Sequence, residues 1–428
     1  MKDRPLHAGS ALARRLADPP ISWLMQRALD QPSLISLAAG FTDAESLPID
    51  DVRSLASQLL RSPASGRPAL QYGSTPGDPD LRRLTAQRLR RLDAALAAPE
   101  SVYDPNRLLI THGSQQMLSM AAQCLCDPGD IVLVEDPTYF VFLGLAQALD
   151  IRCLGIRLTP HGLDPAHLDQ VLRRLHRSGE LPRVKWVYSI GYYQNPTGAT
   201  LAFAAKSEAL QLLRHHERKA GHPLFWLEDA AYREMRFTGE DVPSSIAVPG
   251  AADRVIYVGT YTKPFATGLR VGFGLLPPSI YPAFRHWKGH CDFGTATFLQ
   301  ALLRDAIASG RYDRHLPRLQ ARYAAKARAA TSALRACVPP AIRYAEPQGG
   351  MYLWLRLPPS SSTSRRSRIF RDALAQGVLY VPGDLCYADD PSRRRPRHEI
   401  RLSYGNATEQ EIREGVARLG KVFQKALA

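Results

Sequence analysis

Between about residues 105 and 276, short apolar runs alternate with longer stretches in which apolar residues recur every three to four positions. The longer stretches predict amphipathic helices, such as those at 114–126 and 204–220. The short runs predict strands near 107–112, 130–135, 152–157, 184–190, 224–228, 254–259 and 271–276. Strands that alternate with helices indicate an α/β fold with a mostly parallel sheet that is covered on both faces.

The pattern changes after residue 290. A long helical stretch at about 297–337 is followed by three further predicted strands and a closing helix, at 351–357, 378–381, 399–403 and 408–427. These elements indicate a second, smaller α+β domain, and 428 residues exceed the usual size of one domain. We therefore expect an N-terminal arm, a large domain and a small C-terminal domain, at 1–45, 46–290 and 291–428.

One lysine, Lys263, follows the strand predicted at 254–259, and its neighbours suit a phosphorylated aldehyde. Thr260 and Thr262 precede it, and Arg270 lies seven residues further on. An amine forms a Schiff base with an aldehyde, while hydroxyl and guanidinium groups hold a phosphate dianion. The pattern predicts a site for pyridoxal 5'-phosphate (PLP), although taken alone it also fits a surface lysine after a strand.

Two further segments carry side chains that a PLP ring needs. Asp229 ends another apolar run, where a carboxylate can keep a pyridine nitrogen protonated. Tyr232, three residues later, can donate to the phenolic oxygen of the ring. Asn195 lies in a Gln-Asn-Pro-Thr-Gly turn after the strand predicted at 184–190. Each of these patterns, taken singly, also fits an ordinary structural turn.

Two more segments offer groups for anions. Gly113 and Ser114 stand between a strand and a helix, where free backbone N–H groups bind phosphate, although a simple helix cap has the same pattern. Arg401 interrupts an apolar strand, and its planar fork suits a substrate carboxylate as well as a structural salt bridge. Because ligands bind at the carboxyl ends of parallel strands, we expect these segments to share one crevice.

In this order the segments resemble fold-type I PLP-dependent enzymes of the class I and II aminotransferase family, nearest to the 2-aminoadipate and kynurenine aminotransferase branch. The similarity extends from about Ile35 to the C-terminus. Besides the segments above, it is carried by the motifs at 37–40, 70–73, 111–116, 127–130, 135–139, 347–351 and 401–402. The resemblance implies the two-domain architecture expected from the pattern.

The resemblance also implies a role for each site residue. Lys263 would form the Schiff base and move the substrate's α-proton, Asp229 would pair with the pyridine nitrogen, and Tyr232 with Asn195 would hold the phenolic oxygen. Tyr139 would stack on the ring. The residues implied around the phosphate are Gly113, Ser114, Gln115, Thr260, Thr262 and Arg270.

Substrate and subunit contacts follow from the same resemblance. Arg401 would bind the α-carboxylate beside Asn195, and Gly40 would border the substrate. Tyr72 would reach a phosphate in the partner subunit, which implies a homodimer. The chain departs from the family in two places: Gly191-Tyr192-Tyr193 stands where a proline is common before Gln-Asn-Pro-Thr-Gly, and Thr267 stands where a proline is usual after Lys263. We predict that Tyr192 contacts the substrate; the alternative is that it packs under its loop.

Three functions therefore stay open at this point. Transfer of an amino group between an α-amino acid and a 2-oxo acid is favoured. The same fold also supports elimination, replacement or cyclisation of an amino acid in specialised metabolism. A regulatory effector domain is the third, but the roughly 35 residues before the similar region are too few for the DNA-binding module that such proteins carry.

Composition narrows the picture further. The net charge is +15, but the basic residues are spread along the chain, and the densest runs, 365–368 and 393–397, fall in polar loops. We expect solvated charge and no specific nucleic acid partner. The longest apolar runs are too short to span a membrane, and Asp3 and Asp18 argue against a transit peptide. The six cysteines are dispersed, which indicates a reduced cytoplasmic protein without a metal site.

Overall fold

The computed structural model describes residues 9–16, 19–31, 33–391 and 393–427. Parts of the expected N-terminal arm, including Asp3 and Asp18, lie outside the described residues. The α-helices are α1 (Ala11–Arg15), α2 (Pro20–Asp30), α3 (Ile49–Leu59), α4 (Pro63–Leu70), α5 (Pro79–Leu92), α6 (Gly113–Leu125), α7 (Phe140–Ala148), α8 (Pro165–Arg177), α9 (Phe203–Ala220), α10 (Tyr281–Asp292), α11 (Thr297–Ala308), α12 (Arg311–Cys337), α13 (Arg368–Ala375) and α14 (Glu409–Leu427).

The strands form one large sheet and two small ones. They are β1 (Ile35–Ser36), β2 (Leu108–His112), β3 (Ile131–Asp136), β4 (Arg152–Thr159), β5 (Gly162–Leu163), β6 (Val184–Ile190), β7 (Phe225–Asp229), β8 (Val255–Thr260), β9 (Val271–Leu275), β10 (Tyr352–Arg356), β11 (Val378–Leu379), β12 (Val381–Pro382) and β13 (Glu399–Ser403). The eight-stranded sheet has the order β2-β9-β8-β7-β6-β3-β4-β5.

The large sheet is mostly parallel, as predicted. The neighbours from β8 through β7, β6 and β3 to β4 all run parallel. Every residue of β7 and β8 is buried, which explains why these strands appear in the sequence as continuous apolar runs. The carboxyl ends of β6, β7 and β8 therefore lie side by side at one edge of the sheet.

Two antiparallel pairings bring the remaining site segments to the same edge. Strand β9 runs antiparallel to both β8 and β2. Thr260 at the end of β8 pairs with Gly272, and His112 at the end of β2 pairs with Val271. Since β9 begins at this edge, Arg270 just before it lies beside the turn that leads from β2 into α6.

The C-terminal part contains a three-stranded sheet of order β10-β13-β12. The helix predicted at 297–337 is divided between α11 and α12 at Gly310, whose φ of 70° is left-handed and ends the first helix. The strand predicted at 378–381 is likewise divided, because β11 pairs with β1 whereas β12 pairs with β13. Thr408 and Glu411 cap each other's backbone N–H at the start of α14.

Three expectations from the sequence concern membrane spans, metal ligands and cysteines. No helix among them is long and apolar enough to cross a membrane. No group of three or more potential ligands for a metal ion occurs in the part of the chain that the structure describes. All six cysteines, which are all described, carry free thiols.

Candidate active site

A cavity of about 130 Å³ opens at the sheet edge where β6, β7 and β8 end. Except for Ile190 and Ala231, its lining consists of residues singled out from the sequence. The lining residues are Ser114, Gln115, Tyr139, Ile190, Asn195, Asp229, Ala231, Tyr232, Thr260, Thr262, Lys263 and Arg270. A larger cleft of about 740 Å³, between residues 45–51 and α12, contains none of them. Side chains from five separate segments thus converge as the strand order requires.

Lys263 presents its amine to this cavity. The Nζ atom donates to the backbone oxygen of Gly40 at 2.6 Å. Burial, and then the nearby guanidinium groups of Arg270 and Arg401, lower the pKa of Lys263 to about 8. More of the amine is therefore uncharged near neutral pH than in an ordinary lysine, and the uncharged amine is the form that attacks a carbonyl carbon.

Asp229 is the carboxylate of the site. Tyr188 donates its hydroxyl to Oδ2 at 3.0 Å, and the backbone N–H of Ala231 donates to Oδ1 at 3.0 Å. Burial outweighs both bonds and raises the pKa of Asp229 to about 6. A cationic group beside it would favour the ionised form, so the site suits a protonated ring nitrogen. Tyr188 was missed from the sequence; its only signal is a tyrosine hydroxyl near the buried end of β6.

The anion-binding end lies at the start of α6. Gly113 has a left-handed φ of 68°, and a Cβ there would come within 2.8 Å of Nη2 of Arg270, so only glycine allows this approach. The hydroxyl of Thr262 is buried without a partner, although most buried polar groups have one. An orphaned hydroxyl beside a guanidinium and a helix N-terminus fits the phosphate of PLP. Thr260 differs, because its hydroxyl already donates to the backbone oxygen of Val271 at 3.2 Å.

Gln194 holds the turn that carries Asn195. Its Nε2 donates to Glu135 at 3.0 Å and to the backbone oxygen of Pro137 at 2.7 Å. Its Oε1 accepts from the backbone N–H of Thr197 at 2.8 Å. Burial raises the pKa of Glu135 to about 7. Gln194 therefore joins the turn after β6 to the segment after β3 that carries Tyr139.

Arg401 is fully buried and stands beside the cavity. Its Nη1 donates to Oδ1 of Asn195 at 2.8 Å, and its Nη2 donates to the backbone oxygen of Ala38 at 2.8 Å. Its Nε has no partner. A buried guanidinium with an unused N–H can still donate a hydrogen bond to a carboxylate, and the bond to Asn195 places Arg401 next to the expected substrate position.

Among the predicted site residues, Gly40, Gly113 and Arg401 contact lining residues without lining the cavity themselves. Tyr72 and Tyr192 lie elsewhere. Tyr72 is 87% exposed and therefore does not reach the cavity of its own chain. Tyr192 is buried, with its ring 4.1 Å from Nζ of Lys206 and 5.0 Å from the guanidinium carbon of Arg233. This position does not support the predicted substrate contact and agrees with the alternative of packing under the loop. A Cβ at the preceding residue, Gly191, would lie only 2.6 Å from Oε1 of Glu228, so a larger residue does not fit there without movement.

A known protein family matches this chain over most of its length. Residues 32–419 match the model of the family described as aminotransferase class I and II. The chain belongs to this aminotransferase family. It is 32% identical over 403 residues to the 2-aminoadipate transaminase of Thermus thermophilus, which covers 93% of this chain and 92% of the relative. It is 30% identical over 400 residues to aromatic-amino-acid aminotransferase 1 of Thermococcus litoralis, with 93% and 90% covered.

Solved aminotransferase structures agree with the family assignment. The kynurenine aminotransferase of Pyrococcus horikoshii superimposes with a TM-score of 0.88 over 98% of both chains, at 27% identity. The expected fold-type I architecture is therefore confirmed, and the protein is a PLP-dependent aminotransferase. The relatives give no support to elimination, replacement or cyclisation as its reaction.

Proposed function

We propose that this aminotransferase takes the amino group from an α-amino acid and passes it to a 2-oxo acid, with Lys263 forming the Schiff base. The observation that supports these roles most directly is the shared cavity. There the amine of Lys263, with a pKa of about 8, lines the same space as the buried carboxylate of Asp229. Nucleophile and electron-sink partner are the two groups that PLP chemistry requires of a protein.

Each side chain then has a task of its own. When bound, PLP supplies an aldehyde for Lys263 and a ring that withdraws electrons from the substrate's α-carbon. The amine of Lys263 would take the proton from the substrate's α-carbon and later return it, acting as base and then as acid. Asp229 would keep the ring nitrogen protonated, and Tyr232 with Asn195 would hold the phenolic oxygen. Tyr139 would cover one ring face and keep water away.

Arg401 is proposed to bind the α-carboxylate of the substrate. Its unpartnered Nε is the group that supports this role. The phosphate is proposed to lie against Ser114, Gln115, Thr262 and Arg270, with Gly113 allowing the close approach. Thr260 is proposed to shape this end through its bonds to backbone rather than by direct contact, since its hydroxyl also accepts from the N–H of Thr262 at 3.1 Å.

A homodimer is proposed as the working unit. Leu70, Tyr72 and Phe293 are 69%, 87% and 74% exposed, an unusual set of bare apolar side chains. The hydroxyl of Thr75 donates to the backbone oxygen of Phe293 at 3.0 Å, which brings these segments to one surface. A second copy covering this surface would allow Tyr72 to reach the partner's cavity.

The remaining expectations are kept as proposals. We place the enzyme in the cytoplasm, in amino acid metabolism, and its free thiols fit a reduced compartment. We divide the chain into the arm, large domain and small domain at 45 and 290. Strand β1 lies in the proposed arm but pairs with β11 of the proposed small domain.

The test of this function uses the purified PLP-loaded enzyme. Borohydride reduction followed by peptide mapping is expected to find the cofactor on Lys263. Incubation with a panel of amino acids, led by 2-aminoadipate, kynurenine and aromatic amino acids, is expected to yield pyridoxamine phosphate and the matching 2-oxo acid by mass. A cofactor adduct on another lysine would refute the role of Lys263. Unchanged PLP beside a modified amino acid would replace transamination with another reaction.

A further inference from the structure

Tyr352 is a buried residue beside the site to which the sequence assigned no role. It opens β10 and pairs with Ser403 of β13, while Trp354 pairs with Arg401. Residues two apart on a strand point to the same face, so Tyr352 and Arg401 are diagonal neighbours on one face of this sheet. The sequence shows a tyrosine after a Gly-Gly-Met segment but not which residues it meets, because these contacts depend on pairing with a strand about 50 residues away.

The ring of Tyr352 contacts the guanidinium of Arg401. The guanidinium carbon lies 4.3 Å from the ring centroid of Tyr352 and 5.3 Å from that of Phe140. Arginine stacks favourably on aromatic faces, and such contacts restrict where a guanidinium plane can lie. Tyr352 therefore helps to fix the orientation in which Arg401 offers its unpartnered Nε.

The hydroxyl of Tyr352 contacts a second site residue, Tyr232. The two hydroxyl oxygens are 3.3 Å apart, and the rings meet edge to face with centroids 5.7 Å apart. Each hydroxyl has one hydrogen to donate. If Tyr232 donates its hydrogen to the ring oxygen of the cofactor, the bond between the tyrosines requires Tyr352 to donate to Tyr232.

A third contact is with Gly40. A Cβ at Gly40 would lie 2.9 Å from the hydroxyl oxygen of Tyr352, too close for any real side chain to occupy without movement. The backbone oxygen of Gly40 accepts the hydrogen bond from Lys263. The hydroxyl of Tyr352 thus stands against the backbone that contacts the catalytic amine.

We propose that Tyr352 is a positioning residue that serves both ends of the substrate site: its ring seats the carboxylate-binding Arg401, and its hydroxyl orients the donor hydrogen of Tyr232. The inference rests on the proposed function. It gives the ring and the hydroxyl of Tyr352 separate roles. A phenylalanine keeps the ring and loses the hydroxyl, whereas a leucine loses both.

Loss of the hydroxyl has a spectroscopic consequence. Hydrogen bonds donated in a chain strengthen one another, so Tyr232 becomes a weaker donor once Tyr352 no longer donates to it. A weaker donor leaves more negative charge on the cofactor's ring oxygen, and the proton held beside that oxygen dissociates at higher pH. The pH midpoint of the visible absorption of the PLP-loaded protein is expected to rise by roughly half a unit in Tyr352→Phe, since a hydrogen bond contributes on this scale.

The experiment compares PLP-loaded wild type, Tyr352→Phe, Tyr352→Leu and a control, Tyr380→Phe. Tyr380 is also buried and donates its hydroxyl to the backbone oxygen of Thr363 at 3.0 Å. In the part of the chain that the structure describes, its side chain forms no hydrogen bond or ring contact with Tyr232 or Arg401. Two quantities are measured: the pH midpoint of the absorption band, and the Kd of the carboxylic acid that corresponds to the best amino acid substrate without its amino group.

Tyr352→Phe is expected to raise the midpoint and leave this Kd near the wild-type value. Tyr352→Leu is expected to raise the midpoint as well and to weaken carboxylate binding about fivefold, the scale of a weak cation–π contact. Tyr380→Phe is expected to change neither quantity. An unchanged midpoint in Tyr352→Phe overturns the role of the hydroxyl, and an unchanged Kd in Tyr352→Leu overturns the role of the ring. A wild-type protein that shows no band from a lysine-linked cofactor refutes the proposed function instead.

Discussion

Arg401 donates a hydrogen bond of 2.8 Å to Asn195, a residue 206 positions earlier in the chain. This bond joins the C-terminal three-stranded sheet to the edge of the large sheet where the cavity opens. Asn195 therefore contacts Arg401 and also lines the cavity. The proposed substrate-binding and cofactor-binding groups therefore meet at the side-chain amide of Asn195, and the predictions below concern both groups.

Replacement of Arg401 by lysine is expected to weaken substrate capture and spare cofactor binding. Lysine keeps the positive charge but loses the planar fork that holds Asn195 and Ala38 in place. We expect KM for the amino acid to rise by roughly 10- to 100-fold, the effect of one charge-assisted hydrogen bond, with an unchanged Kd for PLP. Arg356→Lys, on the neighbouring strand, is the control, because Arg356 is half-exposed and pairs with Glu399 at 3.0 Å. An equal effect of both substitutions would contradict the carboxylate role.

Asp229→Asn is expected to have opposite effects on activity and on the stability of the cofactor-free protein. Activity should fall because the ring nitrogen loses its charged partner, by about 2–4 kcal/mol of transition-state stabilisation. Folding raises the pKa of Asp229 from 3.8 to about 6, so the folded protein binds more protons, and its stability falls as pH rises between these values. Asparagine removes this cost, which is at most roughly 3 kcal/mol at neutral pH.

The measurement for Asp229→Asn is thermal unfolding of the cofactor-free proteins at several pH values. Above pH 6 the variant is expected to melt at a higher temperature than the wild type, and below pH 4 the difference should vanish. Tyr188→Phe provides a control, since it removes one hydrogen bond to Asp229 but keeps the carboxylate. A variant that is less stable than the wild type at neutral pH would show that the buried, ionised carboxylate of Asp229 does not destabilise the folded protein.

The attachment of PLP to the cofactor-free protein is expected to accelerate with pH around the pKa of Lys263. Only the uncharged amine attacks the aldehyde, and its pKa of about 8 lies below the ordinary value of 10.5 because of burial and of Arg270 and Arg401. The rate, followed by visible absorbance after rapid mixing, should rise through pH 8 and then level off. A rate that still rises steeply above pH 10 would mean that the amine is not activated.

A double-mutant cycle on Gly40 and Tyr352 checks the contact between them. Gly40→Ala alone is expected to lower kcat, because the new methyl group displaces the Tyr352 hydroxyl or the backbone that accepts from Lys263. In the Tyr352→Phe background the hydroxyl is absent, so the same substitution should cost less. Steady-state kinetics of the four proteins gives the coupling. Additive effects would show that the two residues are not in contact in solution.

Shared active sites predict complementation between two defective subunits. Lys263→Ala and Tyr72→Phe chains, co-expressed with different tags and purified as a mixed dimer, are expected to be more active than either parent dimer. In the mixed dimer one site has both residues intact, while the other site carries both defects. Sedimentation checks the oligomeric state. A fully active monomer, or a mixed dimer no better than its parents, would contradict the proposed interface.

Much of the cofactor end of the site could be predicted because it depends on order along the chain. Residues just beyond parallel strands come together whenever the strands are neighbours, so Asn195, Asp229 and Lys263 required only the alternation of strands and helices. Arg270 could also be predicted, because it follows Lys263 by seven residues in the chain. For these residues, local pattern and tertiary position agree.

Other features could not be read from the sequence, because they depend on register and on local backbone turns. Tyr188 meets Asp229 only through the pairing of β6 with β7, and Tyr352 meets Arg401 only through that of β10 with β13. The unusual Tyr192 suggested a substrate contact, but a tyrosine in a loop carries no sign of the side to which it turns. The break at Gly310 was hidden because helical periodicity continues on both sides of it.

The parallel pairing of β1 with β11 has a mechanical consequence. Leu37 donates its N–H to Leu379 and accepts the N–H of Ser403, so the segment that leads to Gly40 is fastened to the same sheet that carries Arg401 and Tyr352. Lys263 and Asp229, in contrast, belong to the large sheet. If the two sheets tilt against each other, Gly40, Arg401 and Tyr352 move together relative to Lys263 and Asp229. Such a tilt must stretch the hydrogen bonds that cross the gap, from Arg401 to Asn195, from Lys263 to Gly40 and between Tyr352 and Tyr232.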